Sequence, residues 1–175
     1  RAVPMGEIKK KFDFETSTEV LNRAFAKVDS KYPEILKGFL ENGQIDVYPR
    51  KGKRGGAYCW GMGLRPTFVL LNHTDNVGSV EIFAHEMGHA FHTELSKQQP
   101  ARYRKYSTAT AEVASTFFEQ LVSSELENEL SKEERTILLH NKIMGDMSTI
   151  FRQIAFYNFE LELHERIREE GQVSK

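Results

Sequence analysis

His85, Glu86 and His89 stand in the order H-E-x-x-H, as His85-Glu86-Met87-Gly88-His89. On a helix, a spacing of four sets both imidazoles on one face, one turn apart. There they can hold a single zinc ion at about 2.0 to 2.1 Å. Glu86 points another way, toward water on the metal. Zinc lowers the pKa of its bound water toward about 7, and a neighbouring carboxylate can take the proton as the oxygen attacks a peptide carbonyl, then pass it to the leaving amine. The spacing thus predicts hydrolysis, with Glu86 as general base and not as a ligand.

A catalytic zinc site needs three protein ligands and one open position. Gly at 92 and His at 95 would complete a metzincin pattern, but the chain has His92 and Leu95 there, which leaves a downstream helical carboxylate as the main option. Glu112 is the leading candidate. It lies 27 positions after His85, at the start of the helical run 111–119, a distance that allows one turn and an antiparallel return. Glu119 sits two turns further along the same face. Two roles are open to it, a hydrogen bond to the outer nitrogen of a ligand histidine or an ordinary solvated side chain. His92 shares the face of His85 and His89, and either lines a cleft or is structural. His73, His140 and His164 have no motif around them, and Cys59 reads as a packed thiol and not a nucleophile.

The elements that must position these groups are mostly helical. Thr16-x-x-Glu19 is a capping box before a run with Val20, Ala24 and Val28 on one face, and a second helix is predicted to follow Pro33 and stop at Asn42-Gly43. Short β-like runs, 45–48, 57–60 and 67–71, are separated by Pro49, Gly55-Gly56 and Pro66, and predict a small antiparallel sheet. The last run could offer a free edge to an extended peptide. From Asn76 onward helical periodicity returns. Val80, Phe83, Met87 and Phe91 repeat at three or four, as do Val113, Phe117 and Leu121; Ser131-x-x-Glu134 caps a long segment bearing Ile143, Met147, Ile150 and Ile154.

At 175 residues and 39% apolar content, one compact domain over 1–175 is the expectation. The 24 basic and 25 acidic residues nearly cancel, which gives no electrostatic reason to expect nucleic acid or an acidic membrane as partner. The cations Arg50, Lys51, Lys53 and Arg54 read as a solvated turn. No run approaches the length of a membrane helix, the opening residues lack the apolar core of a signal peptide, and one cysteine allows no internal disulfide. The expected setting is cytoplasmic.

Four stretches resemble the oligoendopeptidase F group of zinc metallopeptidases, relatives of thimet oligopeptidase. They are Ile45-Asp46-Val47-Tyr48, the segment from Gly52 to Trp60, the segment from Phe83 to His92, and Ala111-Glu112-Val113-Ala114-Ser115-Thr116-Phe117. Their order and approximate spacing match as well, and the resemblance runs from about Phe12 to Gly171. It implies a mainly α, zincin-type catalytic domain with a small antiparallel sheet before the motif helix. It further implies zinc held by His85, His89 and Glu112, Glu86 as base, and cleavage of oligopeptides. In that group a His- and Tyr-rich segment, thought to stabilise the oxyanion, follows the position where this chain ends, and a large helical region precedes it. Two functional expectations follow: a zinc endopeptidase or its catalytic core, and, as the alternative, a catalytically weak zinc-binding fragment that docks with partner segments.

Overall fold

A computed structural model describes residues 5–172. Asp13, not Thr16, caps the first helix, α1 (Phe14–Ala26), its carboxylate accepting from the Thr16 N–H at 2.8 Å. The helix begins one turn before the Thr16-x-x-Glu19 box, because the Asp13 carboxylate already satisfies one of its orphan amides. Helix α2 (Lys31–Glu41) starts two residues before Pro33, which sits in the first turn where its missing N–H costs nothing. Gly43 ends it with φ of 63°, a left-handed conformation that glycine adopts without strain.

Three short strands follow, β1 (Ile45–Asp46), β2 (Tyr58–Trp60) and β3 (Phe68–Leu70), in the order β1-β3-β2. The sheet is mixed and not purely antiparallel: β2 pairs antiparallel with β3, but β1 pairs parallel. The physical reason is the connection. Between β1 and β3 the chain passes through β2 and two glycine-rich turns, a crossover long enough to bring it back in the same direction. Consequently β3 is paired on both sides, and the sheet's edges are β1 and β2 and not the 67–71 run. The cationic turn is also only partly solvated. Lys53 is buried, 3.1 Å from the Asp46 carboxylate and donating to the Tyr48 carbonyl at 2.8 Å.

Helix α3 (Val77–Ser96) begins at Asn76, whose side chain accepts from the Ser79 N–H. Its stripe of Val80, Phe83, Met87 and Phe91 is fully buried. Phe91 packs edge-on to Phe25 of α1 and against Phe118 of α4 (Thr108–Leu126), with ring centroids 5.0 and 4.9 Å apart. Helix α4 buries Ser115, Phe118, Val122 and Leu126, whereas Val113 and Phe117, read as its apolar face, are 69% and 52% exposed. Apolar spacing marked a face one residue away from the one that packs.

By contact the chain divides into two units, Ile8–Leu130 and one built on the long helix α5 (Lys132–Glu170). Ser131 and Glu134 form the expected reciprocal cap of α5. Its apolar residues Ile143, Met147, Ile150 and Ile154 are exposed. Among the described residues no helix is long and apolar enough to cross a membrane.

Candidate active site

Helices α3 and α4 meet where neither has room for a side chain. A Cβ on Gly88 would stand 2.6 Å from the Ser115 Cα and 2.9 Å from the Ala114 carbonyl oxygen, so glycine inside the H-E-x-x-H motif is what lets the two backbones touch. This contact sets the height of Glu112, three residues before Ser115, opposite the motif histidines.

The result is a cluster of three donors. Single ligand atoms of His85, His89 and Glu112 lie within 4.8 Å of one another. The Glu112 Oε2 is 3.3 Å from His85 Nε2 and 3.6 Å from His89 Nε2. Two donors bound to a tetrahedral zinc at about 2.0 to 2.1 Å stand about 3.4 Å apart, and the separations of Glu112 from the two histidines match that spacing. The two imidazoles are nearly perpendicular, at 83°.

Two of the three donors, His85 and Glu112, are held from behind. The Glu119 carboxylate is 2.8 Å from His85 Nδ1; since a carboxylate only accepts, Nδ1 carries the proton and the Nε2 lone pair is left for the site. Ser115, fully buried, donates its hydroxyl to Glu112 Oε2 at 3.0 Å. The Glu119 bond, ahead of every other influence, raises the His85 pKa, while burial lowers that of His89. A lowered pKa keeps His89 neutral, the form that can ligate a metal.

Glu86 is 7% exposed, and its Oε2 has no hydrogen-bond partner among the described residues. Burial pushes its carboxyl up to about 7; the charge on Glu112 adds to this, while His85 and the backbone N–H of Cys59 pull it down. A carboxyl poised near neutrality with one free oxygen is suited to taking and returning a proton. Cys59, on the open-edge strand β2, has its thiol pushed up to about 12, chiefly by burial, which leaves it unreactive.

The structure thus gathers His85, Glu86, His89 and Glu112, the four residues that the sequence singled out, and sets the Glu119 carboxylate on the His85 ring. His92 lies one turn beyond His89 and stacks face to face on Tyr106, centroids 3.8 Å apart. His73 is a buried structural residue bonded to the Phe12 carbonyl at 2.9 Å. The sequence reading assigns no role to Ser115 or Gly88. Their signal was there, two small residues at helix positions where larger ones are the rule.

Residues 7–175 match the model of Peptidase family M3, and the chain belongs to that family. It is 37% identical over 161 residues to oligopeptidase PepF of Bacillus subtilis, covering 91% of this chain and 24% of that protein. With the chromosomal oligoendopeptidase F of Lactococcus lactis subsp. cremoris it shares 32% over 172 residues, 97% of this chain and 28% of the other. A solved structure from Chlamydophila abortus superposes with a TM-score of 0.77 at 32% identity, over 94% of this chain and 28% of that one. The chain therefore spans about a quarter of the length of the relatives it matches.

Proposed function

We propose that the chain carries the catalytic centre of a zinc-dependent endopeptidase that hydrolyses peptide bonds in oligopeptides. The observation that carries this reading is the convergence of His85, His89 and Glu112 within 4.8 Å, with the buried Glu86 in the same motif. His85 and His89 through Nε2, and Glu112 through Oε2, would hold the metal; when bound, zinc supplies Lewis acidity that polarises a carbonyl and acidifies water. Glu86 takes a proton from the attacking water and hands it to the leaving amine nitrogen, so one carboxyl serves as base and then as acid. Glu119 keeps the His85 ring from turning and fixes its proton on Nδ1. Ser115 fixes the Glu112 carboxylate in the same way. The open edge of β2, beside Glu86, suits an extended peptide bound by its main chain, which would make recognition tolerant of sequence. The same reading sets the enzyme in the cytoplasm, where a lone thiol such as Cys59 is at home.

The exposed apolar run of α5 favours a second reading, in which the chain binds zinc but cleaves weakly until partner segments cover that face. One preparation separates the two. Metal content and cleavage of a quenched fluorescent oligopeptide are measured together, with and without chelator, on the native chain and on Glu86→Gln. About one zinc per chain with chelator-sensitive cleavage is expected. Glu86→Gln should keep its zinc and lose cleavage by about 10²- to 10⁴-fold. Zinc without cleavage in the native chain supports the second reading, and full hydrolysis by Glu86→Gln would show the proton-transfer assignment to be wrong.

A further inference from the structure

A cleft of about 580 Å³ opens between the 61–63 turn, the last turns of α3 and the segment 101–106. Among the described residues its lining includes three cations, Lys97, Arg104 and Lys105, and no acid, in a chain whose net charge is -1. Lys97 is answered by Glu94 at 2.6 Å. Arg104 is tethered by its Nε, which donates to the Gln99 carbonyl at 2.9 Å. Among the described residues neither Arg104 nor Lys105 has a carboxylate partner. A cleft walled by charge of one sign concentrates its field and attracts the opposite sign.

The cleft is joined to the candidate active site by rigid contacts. Tyr106 stacks on His92 at an interplanar angle of 14° and its hydroxyl lies 2.9 Å from Thr93 Oγ1, which pins the cationic segment to the motif helix. On the other wall, a Cβ on Gly61 would stand 2.5 Å from the Thr93 Cγ2, so the turn that leaves β2 lies directly against α3. A peptide paired along the open edge of β2 is thereby led into the cleft. Thr93 and Lys97 follow His89 by one and two turns, a rise of about 6 to 12 Å, which an extended peptide covers in roughly two to four residues.

We propose that this cleft is a subsite for a carboxylate of the peptide, two to four residues from the bond that is cut, with Arg104 and Lys105 as its counter-charges. The proposal rests on the peptidase reading and adds a selectivity to it. The carboxylate has two sources, an Asp or Glu side chain or the free C-terminus, and both belong in the test. Binding of dye-labelled short peptides to the zinc-loaded Glu86→Gln chain is measured by fluorescence anisotropy. The set comprises a neutral amidated parent, versions with one Glu at each position on either side of the central bond, and versions ending in a free acid at those positions.

The expected result is that one placement binds roughly threefold to tenfold more tightly than the parent, the scale of two partly exposed ion pairs. That advantage should vanish in Arg104→Ala/Lys105→Ala, fall in high salt, and persist in Lys37→Ala, an exposed cation outside the cleft lining. An advantage for interior Glu identifies a side-chain subsite; an advantage for the free acid over the amide identifies a C-terminal anchor. Equal binding of acidic and neutral peptides, or an advantage that survives the double variant, overturns the proposal while leaving the peptidase reading intact. Failure of every peptide to bind overturns both.

Discussion

Helices α3 and α5 carry the same kind of apolar repeat and meet opposite fates. Val80, Phe83, Met87 and Phe91 of α3 are wholly buried, whereas Ile143, Met147, Ile150 and Ile154 of α5 are about half exposed. Periodicity tells which residues share a face; whether that face is covered depends on what else folds against it. Helix α3 has partners on several sides: the aromatic residues Phe25 and Phe118 of α1 and α4, Phe14 stacked on Phe83 at 5.2 Å, and the sheet. This packing lets the motif face hold three donors still. The proposed metal site needs a rigid support, and α3 is the helix whose surroundings provide one.

The difference can be tested first where it is greatest. Phe91→Ala removes a ring packed against Phe25, Tyr32 and Phe118, and should cost about 3 to 5 kcal/mol of unfolding free energy in a urea titration. A cost below about 1 kcal/mol would mean that the aromatic cluster is loosely packed, and that support for the motif lies elsewhere.

The seam between α3 and α4 provides the next test. Glu119→Gln keeps the shape of the side chain but replaces a charged acceptor at His85 Nδ1 with a neutral one. Zinc affinity, followed by transfer to a colorimetric chelator, should fall about 10- to 100-fold. The fold itself should be little changed, since Glu119 is only half-buried. An unchanged affinity would return Glu119 to the role of a solvated glutamate.

These two residues also mark how far the sequence could be read. That the fold would bring the motif histidines and Glu112 together was legible because the expected chemistry demands particular residue types at a helical spacing, and the periodicity of Val80 to Phe91 marks the helix that bears the motif. The choice between the two roles of Glu119 was not legible, because it turns on a distance across two helices. That distance is set by the close approach at Gly88, where the missing side chain carries the information. The direction of β1 was hidden for a similar reason. Strands of two or three residues have no pattern that distinguishes parallel from antiparallel pairing, and the long crossover decides it. In α4 the apolar residues Val113 and Phe117 suggested a face that the small residue Ser115 in fact defines.

The smallest effect is expected on α5. Ile150 is 58% exposed, so truncating it removes little buried area, and alanine is the better helix former by a few tenths of a kcal/mol. Ile150→Ala should therefore leave stability within about 0.5 kcal/mol of the parent, with any shift toward greater stability. The informative contrast is with Phe91→Ala under the same conditions, since both delete an aliphatic or aromatic group from an apolar repeat. If Ile150→Ala cost as much as Phe91→Ala, Ile150 would have to be covered in solution. The stripe of α5 would then be a contact surface already in use, and the second functional reading, in which partner segments complete the protein, would gain direct support.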